Sequence, residues 1–386
     1  MRCEPLRLII SMSDRTDSRL IPRVLTLLLT CGPGLLGAQA IRTSLLGAGT
    51  GQPVAGAFVV LVDTAGREIG RTLTDETGHV RLDPPPGVYR VLVLRIGMAR
   101  WSGARFTLGV GDTITTPIEA PEVPVMLSEI AVHAERRCRV RPEEGSAAAR
   151  LWEEARTALE ATEWTILHPV YRFQTRRYVR TFGPAGADPI EEERHLTAGY
   201  SSWPFMSLPA ETLAARGFAQ PDSTGVMTYY GPDLPVFLSG AFLAQHCFRV
   251  ERTEGAAADS QIGLGFEPVG GGRHVDVAGV LWLDRRSAEL KELLFRYTNL
   301  GRWTGRGAQG RVVFERLPNR AWIIRRWSIR MPIARLGKQP VNVGGQVTMT
   351  GPLDTIGVAG YREEGGWVTQ VRTAAGRLII AYPDEP

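Results

Sequence analysis

The chain is almost without lysine: Lys291 and Lys338 are its only two, so that 43 of its 45 basic residues are arginine, spread along all 386 positions. A net charge of +5 laid out in this way, with no nucleic-acid-binding motif beside it, gives no reason to expect a nucleic-acid partner. The six histidines, His79, His133, His168, His195, His246 and His274, are scattered and form no HExxH pair. His133 and Glu135 make an HxE that no PCxxC follows, so the zinc peptidase and deaminase signatures are both missing. There is no GxSxG, Ser201-Ser202 before Trp203-Pro204 reads as a loop, and Gly270-Gly271-Gly272 lacks the Lys-Ser/Thr of a phosphate loop. Cys247 stands between His246 and Phe248, but adjacent strand residues point to opposite faces and cannot act as a pair. These absences give the expectation of a non-catalytic chain without metal or other cofactor, against the alternative of an uncharacterised hydrolase built from distant strands.

Long apolar runs are also missing. The one notable run, Val24-Leu25-Thr26-Leu27-Leu28-Leu29, follows Arg15, Arg19 and Arg23 and leads to Ala38-Gln39-Ala40, a small-x-small cleavage pattern. Residues 1–40 therefore read as a signal peptide, and the expected location is the periplasm or the outer membrane. Cys31 follows Leu28-Leu29-Thr30, and the threonine is a poor fit to a lipoprotein signal. Nothing further approaches the roughly 20 apolar residues of a membrane helix, so no transmembrane helix is expected after cleavage. Of four cysteines, removal of the leader takes Cys3 and Cys31 and leaves Cys138 and Cys247. An even count in an exported chain favours a disulfide between them.

What the chain has in quantity is glycine (43) and proline (26) on a globular background, 44% hydrophobic and 22% charged. Many short strands and turns are expected. Thr50-Gly51-Gln52-Pro53-Val54-Ala55-Gly56-Ala57 is a turn feeding the strand Phe58–Asp63, whose two faces are both apolar. Thr74-Asp75-Glu76-Thr77-Gly78 is a second turn, in which Asp75 can close an Asx-type bond and Gly78 supplies free backbone dihedrals. Pro84-Pro85-Pro86-Gly87-Val88-Tyr89 is a rigid corner before the β-branched run Arg90–Ile96.

The succession TGxPVxGAxVxL, TDxxGxxxL, PPGxYxVxV over about residues 41–131 resembles the carboxypeptidase regulatory-like domain. That resemblance implies a seven-stranded transthyretin-like β-sandwich, closing with a strand at 126–132, in which Gly56, Asp75, Gly78, Pro86, Gly87 and Tyr89 are fold residues rather than ligands. Peptidase activity does not come with it, since the HxxE zinc motif is missing. Transthyretin-like sandwiches are similar to carbohydrate-binding folds, which makes a carbohydrate-binding protein the alternative reading. Against it stands aromatic poverty, with Trp101 the only tryptophan and Tyr89 the only tyrosine of the segment.

After a polar linker at 133–145, residues 146–386 read as a helix and a larger antiparallel β domain. Ala148, Leu151, Trp152, Ala155, Ala158 and Leu159 recur at helical spacing from Ala147 to Ala161. Glu153 and Glu154 are expected on its solvated side. Beyond residue 165 alternation returns in Tyr171–Arg180, in the hairpin Val275–Asp284 with Glu289–Tyr297, and in Gly310–Glu315 with Trp322–Pro332. This pattern is similar to the curved sheet of lipoprotein-carrier-like periplasmic domains. The whole is thus expected to be mainly β, a sandwich followed by a helix and an antiparallel sheet. In Trp322–Pro332 the residues Trp327, Ile329 and Met331 share one face, with Arg326, Ser328 and Arg330 on the other; in Tyr171–Arg180 the residues Arg172, Arg176, Tyr178 and Arg180 share a face. Arginine beside aromatics on an open sheet is a candidate ligand surface. The expected protein is a cell-envelope module whose sandwich acts as a spacer or interaction unit, with an envelope protein, a lipid or a glycan as its partner.

Overall fold

Alternation in the first strand, β1 (Ala40–Gly47), sends Ile41, Thr43 and Leu45 inward and Arg42 to solvent. A computed structural model of the chain describes residues 39–125, 127 and 147–383, apart from short stretches at 169, 187, 201–204, 222–226, 253–259, 271–273, 301–306, 339–340, 344–345 and 349–352. The sandwich continues through β2 (Phe58–Val62), β3 (Glu68–Leu73), β4 (His79–Leu82), β5 (Gly87–Leu94), β6 (Trp101–Leu108), β7 (Thr113–Ile114) and β8 (Ile118–Ala120). One sheet runs β4-β1-β7, with β8 also on β1, and the other β3-β2-β5-β6. Ile41, Leu45, Val59, Leu61, Val80, Tyr89 and Val91 fill the space between them. The strand on the far edge of β1 comes as two short pieces, and the Thr43 hydroxyl donates to the Thr116 carbonyl at 2.7 Å in the gap between them. The segment read as the closing strand lies outside the described residues except for Leu127, which is buried.

β2 is buried on both faces. Val59 and Leu61 look into the sandwich, while Phe58 and Val60 look the other way, into a second and larger core. That core is built on α1 (Ala147–Leu167), whose six periodic residues are all buried. The helix runs six residues past its expected end because Thr162 and Thr165 turn their hydroxyls back onto the carbonyls of Ala158 and Ala161, at 2.8 and 3.0 Å, and so become buried members of the helix. The expectation for Glu154 is corrected: it is half-buried, not solvated, and accepts the Gly97 N–H at 2.9 Å from the sandwich. Burial pushes its carboxyl up. Arg71 likewise spans both parts, holding Glu160 at 2.7 Å and Glu68 at 2.6 Å. Residues 38–386 form one compact unit.

The remainder comprises β9 (Tyr171–Phe182), β10 (Pro189–Gly199), α2 (Ala210–Arg216), β11 (Ala219–Pro221), β12 (Met227–Tyr229), α3 (Leu234–Leu238), α4 (Gly240–Gln245), β13 (His246–Glu251), β14 (Gln261–Pro268), β15 (Asp276–Asp284), β16 (Leu290–Thr298), β17 (Gln309–Arg316), β18 (Trp322–Lys338), β19 (Val341–Val343), β20 (Gln346–Thr348), β21 (Leu353–Thr373) and β22 (Leu378–Ala381). Ten strands make one antiparallel sheet in the order β10-β9-β21-β18-β17-β16-β15-β14-β13, with β22 on β21. Its inner face carries Leu281, Leu293, Phe295, Val312, Trp327 and Ile329 against α1, α3 and the outer side of β2. No described helix is long and apolar enough to cross a membrane.

Candidate functional site

The outer face of the ten-stranded sheet follows from register alone, because residues directly paired across antiparallel strands share a face. One row reads Glu192, Arg180, Glu363, Arg330, Gln309, Arg296 from β10 to β16. The next reads Arg194, Tyr178, Gly365, Ser328, Arg311, Leu294, and the third Leu196, Arg176, Trp367, Arg326, Val313, Glu292. The sheet thus brings Arg176, Tyr178 and Arg180 of β9 together with Arg326 and Arg330 of β18, two strands apart. Arg172 stands at the other end of β9, its guanidinium 5.2 Å from the Tyr200 ring.

These arginines lie on an aromatic bed. Trp367, Tyr178, Phe182 and Tyr361 are buried although they belong to the outer face. The Arg330 guanidinium sits 4.0 Å from the Phe182 ring and 5.0 Å from that of Tyr361, and donates to the Gly186 carbonyl at 2.8 Å. Arg180 sits 4.3 Å over Tyr178 and pairs with Glu192 at 3.2 Å; Arg326 lies 5.8 Å over Trp367. Stacking on ring faces fixes each charge in position while leaving its solvent side open. The Tyr178 hydroxyl donates to Glu363 at 3.1 Å, and burial, with Glu363 beside it, pushes that phenol up to about 12.

Beside this bed the face sinks into a hollow of about 380 Å³ lined by Leu294, Arg296, Arg311, Ser328, Arg330 and Glu363. Its floor includes the backbone of Gly279 and Gly310, which flank Phe295 on either side. A Cβ on Gly310 would run into the Phe295 ring, and one on Gly279 into the Leu294 carbonyl. Arg311 is held by Glu292 at 2.7 Å, and Arg296 is exposed. Glu363 and Trp367 escaped sequence reasoning because their placement depends on pairing between strands as far apart as β9 and β21; Arg296 within Glu289–Tyr297 and Arg311 within Gly310–Glu315 had left local traces in their alternation.

The histidines among the described residues are dispersed. Of His168, His195, His246, His274, Glu191 and Asp276, the structure brings together His246 and Asp276, at 3.2 Å. His246 is stacked on Phe242 at 3.8 Å, with its ring nitrogens 3.0 Å from the Phe242 carbonyl and 3.2 Å from that of Val277, which is a satisfied core position. No group of three or more His, Cys, Asp or Glu side chains able to hold a metal occurs among the described residues. Cys247 is buried and disulfide-bonded; Cys138 lies outside the described residues.

The sandwich motif residues occupy turns. Gly78 has φ +70°, and a Cβ there would strike the Leu45 carbonyl. Gly56, φ +68°, sits against Arg320 in the turn between β17 and β18. Pro86 and Gly87 lead into Tyr89, which is buried and donates to the Pro85 carbonyl at 2.6 Å. Asp75 accepts from the Thr77 N–H at 2.9 Å, the Thr77 hydroxyl at 2.7 Å and the His79 N–H at 3.1 Å. Burial raises its carboxyl, but these donors outweigh burial and hold it below the ordinary range. A group lowered in this way stabilises the fold above the ordinary carboxylate range, and that contribution is lost as pH falls through its folded-state value. Asp75→Ala is expected to cost about 1–2 kcal/mol at neutral pH, from its lost hydrogen bonds, and less in acid. Denaturant titrations at the two pH values check it; a loss that does not shrink in acid would assign the effect to backbone conformation instead.

Comparison with known proteins reaches the sandwich most directly. No curated protein matches the chain. Among solved structures, the Bacillus anthracis TIE protein is 8% identical over 83% of this chain and 48% of its own, at a TM-score of 0.19. The chain thus spans about half the length of that protein. A LolA superfamily protein from Nitrosomonas europaea is 14% identical over 60% of this chain and 94% of its own, TM-score 0.21. BcpA, the major pilin subunit of Bacillus cereus, is 9% identical over 90% and 93%, TM-score 0.20. At such TM-scores these likenesses carry no argument. The family model of the carboxypeptidase regulatory-like domain matches residues 40–120, the stretch that carries the three turn motifs and strands β1 to β8.

Proposed function

We propose that the chain is an exported, non-catalytic cell-envelope protein that binds an acidic partner or glycan on the outer face of its ten-stranded sheet, with the sandwich as a fixed interaction module. The observation that carries this reading is the bed of buried aromatics roofed by arginines and continued by a hollow with Arg296 and Arg311 at its rim. Planar cations held in place suit carboxylates or sulfates repeated along a chain, each met by charge-assisted hydrogen bonds. The sandwich itself offers little to a neutral sugar, since its one tyrosine is buried on its own corner.

Binding to polygalacturonate, compared with a neutral glucan, tests the proposal. Retention at low salt and release at high salt are expected. Arg296→Ala with Arg311→Ala, both exposed positions, should weaken binding at least about tenfold, a loss of about 1.4 kcal/mol. Equal affinity of the double variant, or of the neutral glucan, would sink the acidic-ligand reading.

A further inference from the structure

All eleven residues of β10, Pro189–Gly199, are exposed, and among the described residues β10 pairs with β9 alone. From Glu191 onward, past a bulge at Pro189, one edge of the strand therefore presents backbone N–H and C=O groups in register, a template for another strand. Three consecutive glutamates, Glu191, Glu192 and Glu193, guard that edge against most sequences. They do not guard it against a strand that brings histidine and arginine in the reverse order, and β10 is itself such a strand.

We infer that β10 pairs with β10 of a second copy of this chain, antiparallel and centred on Glu193, joining two ten-stranded sheets edge to edge. In this register Glu192 lies opposite Arg194 of the second copy and Glu191 opposite its His195, and the two-fold axis repeats each pair. The row Arg330, Glu363, Arg180, Glu192 is extended by one more cation. Neighbouring registers fail on the same residues. Centring on Glu192 sets Glu191 against Glu193 and Glu192 against its own copy, and centring on Arg194 sets Arg194 against its own copy and Glu192 against Leu196, which leaves no glutamate–arginine pair. A one-residue slip sets outer-face residues against inner-face ones. Glu193 meets its own copy, one like-charge pair, where the register centred on Glu192 makes three.

One strand from each chain makes a small interface, so the dimer dissociates on dilution. Sedimentation of the intact exported chain over a range of concentrations should show a monomer–dimer equilibrium. Glu192→Arg and Arg194→Glu should each raise the dissociation constant at least about tenfold, because each replaces two attractive pairs across the axis with two repulsive ones, besides breaking the 2.6 Å pair that Glu192 and Arg194 make within one chain. The two changes combined should restore dimerisation. The register has its own test: Glu193→Cys should crosslink to itself on mild oxidation, since opposed Cα atoms at about 4.5–5.5 Å lie within disulfide reach, whereas Thr197→Cys should not. A chain monomeric at every concentration, single swaps without effect, or equal crosslinking of the two cysteine variants would overturn the inference. If a charge variant fails to fold, the cysteine pair decides.

Discussion

Phe58→Ala is expected to destabilise residues 38–386 as a whole by about 3–5 kcal/mol, the range for truncating a fully buried aromatic, and to do so in a single unfolding transition. Phe58 is 1% exposed although it points away from the sandwich interior. Its ring meets Trp164 of α1 edge-on at 5.9 Å, and the Arg71 guanidinium lies 5.3 Å above it. The cavity would open where sandwich, helix and sheet meet, a place that cannot collapse without moving all three. Urea titration followed by circular dichroism and by tryptophan fluorescence should give coincident curves, both shifted by the mutation. A sandwich that melted apart from the sheet, or a loss below about 1 kcal/mol, would show that Phe58 merely covers a surface.

The second large effect is expected on reduction. We propose that Cys247, at the start of the edge strand β13, is joined to Cys138, which ties the segment after the sandwich to the far edge of the sheet. The pair would close a loop of roughly 110 residues, for which chain entropy gives on the order of 4–5 kcal/mol as an upper figure. Peptide mapping of the oxidised protein without reductant should recover the two cysteines in one linked species, and reduction should lower the urea midpoint by a corresponding amount. Recovery of Cys138 as a free alkylatable thiol would defeat the pairing.

Legibility in the sequence followed the range of the interactions. The turns of the sandwich were readable because Asp75, Gly78 and Tyr89 bond within four residues of themselves. α1 was readable as far as its apolar period held, and its last six residues were hidden because Thr162 and Thr165 look polar until their hydroxyls are seen returned to the helix backbone. The arginine faces of β9 and β18 were each visible from alternation. Their union was not, because β21, arriving some 190 residues after β9, is what sets them side by side. Glu154 looked like a surface charge for a similar reason: its partner, the Gly97 N–H, belongs to another part of the chain.

The doubly buried β2 also bears on how such a gene can be rearranged. A sandwich borrowed as a self-sufficient unit would carry a wetted outer side on this strand, but here positions 58 and 60 are phenylalanine and valine packed against a neighbour. Exchanging residues 40–120 for a carboxypeptidase regulatory-like domain with a polar outer β2 would keep the turns and still deliver the wrong surface to α1. In this chain the stretch that the family model matches is not a piece that recombination can lift out intact.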